Sequence, residues 1–425
     1  MFQMFRAARR CFSALALTTA LLASPAIAAA RTEPHLSVLY AFNGGADGAG
    51  PGGLVFDDAG NLYGTASGGG STDCQGGCGT VFKIAADGTE TTLYSFAGGS
   101  GDGHLPVGLA VDRDGNVYGT TLGGGSGSYG TVFKLTPDGR ETILFNFDAF
   151  SSGVTPSSGL TVGKGGEMYG VTQYGGLSNC PNGCGTVFKI TRHDRVQTVF
   201  AFDRDNGWQP WGGLMADGAG DLYGTTLAGG TGNGGTVFKL DPTGAETVLY
   251  NFKGGARDGF LPEAPPQFDA AGNLYGGTYE GPGTGCVGLG CGVIYKLAPD
   301  GTETLLHVFN PGRKNFGGAG YAVPGRVVVD EAGNVYGATK FGGASLSCNA
   351  PFGCGSIFKV SPAGVRKTLY NFLGPANGDG AYPVFGLIRG KGRNRNTLYG
   401  TTATGPNCGD GTPTGGCGMV FKIEE

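Results

Sequence analysis

The chain has 425 residues, 88 of them glycine, with 15% charged residues, 11% aromatics and a formal net charge of −4. A chain of this length can bury a large core. The aromatic content and the lack of a triplet glycine period exclude a collagen-like or disordered polymer, and the lack of a basic stripe argues against nucleic acid as a partner.

Residues 1–30 have the form of an export signal. Arg6, Arg9 and Arg10 make a positive start, residues 12–27 are apolar and small, and Ala26-Ile27-Ala28 is an A-x-A-like cleavage site. The mature chain is expected to begin near Ala29 or Arg31. Arg9-Arg10-Cys11-Phe12 is a weak twin-arginine pattern, and Cys11 precedes the apolar run, unlike a lipoprotein cysteine. Beyond residue 30 no apolar stretch approaches the ~18 residues of a spanning helix. No C-terminal anchor is visible, so no membrane span is expected and residues 31–425 are read as one domain.

That domain is a repeat. Tyr-Gly occurs at Tyr63, Tyr118, Tyr169, Tyr223, Tyr275, Tyr336 and Tyr399. Each copy is followed by aromatic-Lys, at Lys83, Lys134, Lys189, Lys239, Lys296, Lys359 and Lys422. A period of roughly 50 residues is the mark of stacked supersecondary units. In the first copy, residues 53–57 (GLVFD), 61–66 (NLYGTA), 80–84 (TVFKI) and 90–96 (ETTLYSF) are aromatic and β-branched runs bounded by Gly and Asp turns. No segment sustains a 3.6-residue period, so the pattern predicts an all-β seven-bladed β-propeller with four antiparallel strands per blade. The fourth-strand word first appears at residues 36–42, ahead of blade one, while the last blade stops after its third strand. The N-terminal strand is therefore expected to complete blade seven and close the ring.

Ten cysteines follow the signal, as Cys74/Cys78, Cys180/Cys184, Cys286/Cys291, Cys348/Cys354 and Cys408/Cys417. Each pair sits in the loop before a third strand. An even count in an exported chain implies disulfides, with pairing inside each loop the simplest connectivity. Two cysteines per blade on separate blades do not make a metal site; no metal or cofactor is expected. The repeated lysines are read as structural. Counting back from the Asp87-Gly88 hairpin sets Lys83 opposite Glu90, with Lys134/Glu141, Lys239/Glu246 and Lys296/Glu303 alike, each worth about 0.2–1 kcal/mol. In blade six the same count sets Arg366 opposite Lys359.

The words Gly-Asn-(Leu/Val)-Tyr-Gly-Thr, Gly-Thr-Val-Phe-Lys and Thr-Leu-Tyr-x-Phe resemble the Gloeobacter/Verrucomicrobia ("GloVer") tandem repeat over about residues 36–425. The resemblance implies an exported propeller-like array. It carries over no activity and no catalytic residues. Many members have a C-terminal anchor; its absence here favours a soluble periplasmic or secreted form. The Asp-x-x-Gly-Asn-Val-Tyr turn also resembles sugar-lactone and streptogramin-lyase propellers, whose acidic metal ring or His pair has no counterpart in this sequence.

With first strands lining the channel, the long second-to-third-strand loops and the interblade loops share one face. Variable loops on a rigid scaffold are where function concentrates. The interblade loops carry (Asp/Ser/Asn)-Gly-x-x-Pro at residues 47–51, 102–106, 152–156, 206–210, 258–262 and 379–383, with a variant at 320–324. Asp or Asn before Gly is turn chemistry, and one Asp per blade without clustered partners does not hold calcium. One copy contains Trp208 and Trp211, the two tryptophans of the protein. The two tryptophans read either as a buried corner of the blade or, together with Tyr129, Tyr174, Tyr279, Phe341 and Phe352, as the candidate ligand-binding set, an aromatic platform for a sugar ring or a partner side chain. His35, His104, His193 and His307 occupy unrelated repeat positions; His104 alone is placed to face a pocket. No catalytic residue is assigned. The expected function is a monomeric exported binding module for a glycan or protein ligand. The alternatives are a lyase- or lactonase-type propeller with a channel site and a structural envelope protein.

Overall fold

The computed structural model describes residues 33–148, 152–255, 257–282, 291–309, 325–345, 347–348, 353–407 and 417–425. Residues 1–32, on which the export signal is expected, Cys286, Phe352, Cys408 and the variant word at 320–324 lie outside them.

Seven antiparallel sheets follow one another along the chain. Blade one runs from Ala49–Phe56 through Leu62–Gly68 and Thr80–Ile84 to Glu90–Ser95. Blade four repeats it with Trp208–Ala216, Leu222–Ala228, Thr236–Leu240 and Glu246–Asn251. In blade three the inner strand is split into Val154–Pro156 and Thr161–Val162. Blade seven is assembled from both chain ends. His35–Ala41 pairs with Met419–Glu424, with Leu36 opposite Ile423, which closes the ring. No α-helix occurs among the described residues; two 3₁₀ turns lie at Pro375–Asn377 and Gly392–Asn394.

The repeated words acquire their meaning in the core. The ring of Phe82, from the third strand, lies across Gly64 of the second, and a methyl group at Gly64 would collide with it. The same glycine–aromatic contact recurs in all seven blades, with Tyr295 in place of Phe in blade five. The outer-strand aromatic of one blade then meets this ring edge-on in the next: Phe96 on Phe133 at 5.1 Å and Phe202 on Phe238 at 4.9 Å. Phe42 on Phe82 and Phe372 on Phe421 carry the same contact across the closure of the ring. Such pairs add about 0.5–1.5 kcal/mol each beyond area burial. One glycine per blade therefore lets a continuous belt of aromatic rings tie each blade to its neighbour.

The strand register corrects the lysine pairing. The hairpin closes with Ala85 N–H bonded to the Thr89 carbonyl, so its loop has one residue more than a two-residue turn. Glu90 stands opposite Ile84, and Lys83 opposite Thr91. Arg366 stands opposite Val360, not Lys359. A one-residue slip moves a side chain to the other face of the sheet, so each Lys–Glu pair is separated. Lys83 lies over the Tyr63 ring at 5.3 Å, and Lys134 over Tyr118 at 5.1 Å. Lys134 also bridges to Asp194 of the next blade at 2.8 Å, as Lys359 does to Glu425.

Candidate binding site at the channel mouth

The interblade word builds the rim of the channel. The residue before its proline adopts a left-handed backbone in Leu105, Thr155, Gln209, Leu261 and Tyr382, with φ between 55° and 60°; Gly50 holds this place in blade one, at φ 63°. For a residue with a side chain that is a strained conformation. What holds it is a bond to the preceding blade. The N–H of Gly50, Leu105, Gln209 and Tyr382 donates to the carbonyl of Cys417, Cys78, Cys184 and Cys354, at 2.9–3.0 Å. Thr155 and Leu261 donate likewise to Tyr129 and Gly234. The proline that follows lies against a glycine of the preceding blade, as Pro210 does on Gly185.

Disulfides fix most of these acceptors. Cys74–Cys78, Cys180–Cys184 and Cys348–Cys354 are bonded within their loops. Cys291 and Cys417 are disulfide-bonded as well. The aspartates of the word act as staples. Asp102 accepts from Ala97 N–H at 2.7 Å, Gly103 N–H at 2.6 Å and the Tyr94 hydroxyl at 3.1 Å. Asp258 and Asp379 repeat this with Tyr250 and Tyr370.

The residue after each proline is thereby aimed at the axis. It is Val107, Ser157, Trp211, Glu263 and Val384 in blades two to five and seven, and together with inner-strand residues these surround a central cavity of about 520 Å³. Trp211 is 37% exposed; Ser157 Oγ donates to its carbonyl at 3.2 Å. Gly212 lets the inner strands of blades four and five approach, since a methyl there would strike the Glu263 carbonyl. Trp211 and Glu263 are therefore neighbours on the rim. Tyr279 and Lys340, each just past a second strand, complete that side of the cavity. The Tyr279 N–H bonds to the Leu261 carbonyl at 3.0 Å.

This side of the rim is electrostatically distinct. The Glu263 carboxyl is pushed up to about 7, mainly by burial, with Lys340 opposing and Glu280 adding to the rise. Burial and the two carboxylates raise the Tyr279 hydroxyl. A half-protonated carboxyl, a phenol, an ammonium and an indole around one cavity can bind a hydroxyl-rich molecule and can exchange a proton with it.

Of the predicted aromatic set, Trp211 and Tyr279 line the cavity. Trp208 does not join them. It is partly buried and packs against the core between blades three and four, beneath the Arg204 guanidinium at 5.9 Å. The Tyr174 hydroxyl is bound by the Gln209 amide at 3.0 Å, Phe341 meets Tyr382 edge-on, and Tyr129 stands exposed on its loop. His104 lies across Gly123 in blade two. The sequence reading missed Glu263, Lys340 and Arg326. For Glu263 and Arg326 the available signal was the first and second positions after the proline, which change chemistry from blade to blade; Lys340, just past a second strand, carried no such signal.

The Gloeobacter/Verrucomicrobia repeat matches residues 27–180 and 177–414. No curated protein matches the chain. Among solved structures, the chain is similar to two B. thetaiotaomicron proteins, the extracellular domain of a one-component system (8% identity, TM-score 0.53) and that of a hybrid two-component system (14%, 0.52). The match covers 92% of this chain but only 39% and 41% of theirs. A gluconolactonase from Xanthomonas campestris matches at 12% identity and TM-score 0.43, over 92% of this chain and 89% of its own.

Proposed function

The chain belongs to the Gloeobacter/Verrucomicrobia repeat family, and we propose that this member is an exported propeller that binds a sugar-sized, hydroxyl-rich ligand in the mouth of its central channel. The observation that carries this reading is the gathering of Trp211, Glu263, Tyr279 and Lys340 on one side of a cavity of about 520 Å³. That volume is within the range of small-molecule sites. An indole face takes the apolar side of a sugar ring, and the carboxyl, phenol and ammonium take its hydroxyls. The bonded cysteines favour an oxidising compartment, in keeping with the export signal read at residues 1–30.

The test is a panel of mono- and disaccharides titrated calorimetrically into the oxidised protein. Trp211→Ala is expected to weaken the best ligand about tenfold, or about 1.4 kcal/mol, and Glu263→Gln to weaken it further. A ligand whose affinity ignores both changes overturns the reading, as does a panel without any binder.

A second reading rests on the Glu263 carboxyl. Near 7 it is half-ionised at neutral pH, the condition under which a carboxyl serves as general acid or base. Turnover of a lactone or uronide by the wild type, abolished in Glu263→Gln while binding persists, replaces pure binding with catalysis.

A further inference from the structure

Two residues after the interblade proline, the other blades place Gly53, Gly108, Ser158, Gly212, Ala264 and Phe385; blade six places Arg326. Its backbone is locked. Leu387 N–H donates to the Arg326 carbonyl at 3.0 Å, and only a glycine at 386 fits against it. The side chain lines the central cavity and also a second cavity of about 330 Å³ that holds Arg389 and Lys391. Its Nε is fully enclosed and has no hydrogen-bond partner. Its Nη2 donates to the Met215 Sδ of blade four, 4.0 Å away, and a thioether is a weak acceptor. No carboxylate pairs with it among the described residues. The Glu263 carboxyl on the same cavity is raised first by burial, with Lys340 opposing and Glu280 adding to the rise.

An arginine stays charged in proteins, and a partly buried charge without a counter-ion carries a desolvation cost. The guanidinium fork matches an oxyanion in two parallel bonds. We infer that Arg326 is an anion-binding residue of the channel, and that the ligand is an acidic saccharide whose oxyanion pairs with Arg326 while its ring lies at the Trp211 rim. The saccharide part rests on the proposed function; the anion part stands on Arg326 alone.

The experiment compares D-glucuronate with D-glucose by calorimetry at constant ionic strength. Beside it, the melting temperature is followed in sodium sulfate against sodium chloride. Wild type, Arg326→Met and Arg326→Lys are used, the last keeping the charge should the methionine variant fail to fold. The expected result is glucuronate at least tenfold tighter than glucose in the wild type. That preference is lost in Arg326→Met and reduced in Arg326→Lys, and a sulfate-specific rise in melting temperature depends on Arg326. Equal binding of the two sugars, with no sulfate effect, overturns the anion site and leaves the rim reading standing. A sulfate effect that needs Arg326, without binding of either sugar, upholds the anion site and sinks the saccharide.

Discussion

The backbone N–H of Gln209 donates to the carbonyl of Cys184, 3.0 Å away on the preceding blade. Gln209 has φ 60°, and that turn delivers Pro210 against Gly185 and Trp211 into the channel. The disulfide Cys180–Cys184 therefore acts two residues from the site. By fixing its acceptor, it holds the strained backbone on which Trp211 stands.

Removing that bridge with Cys180→Ser/Cys184→Ser is expected to leave the propeller folded. A loop this short gives up about 2 kcal/mol by the chain-entropy relation. Urea unfolding measures the loss, and calorimetry measures a parallel weakening of ligand binding. Unchanged affinity would separate the bridge from the site.

The two tryptophans should part company. Trp208→Ala removes a partly buried indole packed against the core between blades three and four and is expected to cost about 3 kcal/mol. Trp211→Ala, on a partly exposed rim residue, should stay within about 0.5 kcal/mol of wild type. Denaturant midpoints check both, and in Trp208→Phe the remaining fluorescence reports ligand at Trp211 directly.

Gly224→Ala tests the aromatic belt. A methyl at Gly224 would sit 2.5 Å from Phe238 Cζ and 3.0 Å from Leu214 Cδ2, overpacking worth about 1–3 kcal/mol. Adding Phe238→Leu opens that space, so the double variant should lose less than the sum of the single ones. Additive losses would refute the contact as the cause.

Stability should fall as pH rises through neutrality. Glu141, Glu246 and Glu303 each enclose an Oε1 without a partner. Each carboxyl is pushed up to about 7, first by burial and then by Asp102, Asp203 or Asp258 respectively. The folded protein holds these protons more tightly than the unfolded chain, where a glutamate titrates at about 4.3. Their stabilisation is complete below that value and is lost as pH rises through about 7. At the acid end Asp57, Asp269 and Asp330 are held low: burial opposes this, but the side-chain and backbone amides of Asn61, Asn273 and Asn334 outweigh it. Their share is present above the unfolded value of about 3.9 and fades as pH falls. Urea unfolding at pH 5, 6.5 and 8 should show the highest stability at pH 5. Replacing all three glutamates by Gln should flatten the decline from 5 to 8, and a decline of undiminished slope would rule them out.

The sequence by itself determined the blade count, the strands of each blade, the closure of the ring by residues 36–42 and, for the three cysteine pairs that lie wholly among the described residues, the pairing within their loops. These are local facts: Gly and Asp turns, short apolar runs and cysteines four to six residues apart act within one repeat. Even so, one uncounted hairpin residue moved every Lys–Glu pair to opposite faces of its sheet. Only the tertiary structure decided that Trp211 faces the axis while Trp208, three residues earlier, faces the core. It alone brought Trp211, Glu263, Lys340 and Arg326 together from blades four, five and six. Their meeting depends on how far each blade is rotated about the axis. That angle is set by the aromatic belt and the interblade bonds acting together, not by any single stretch of chain.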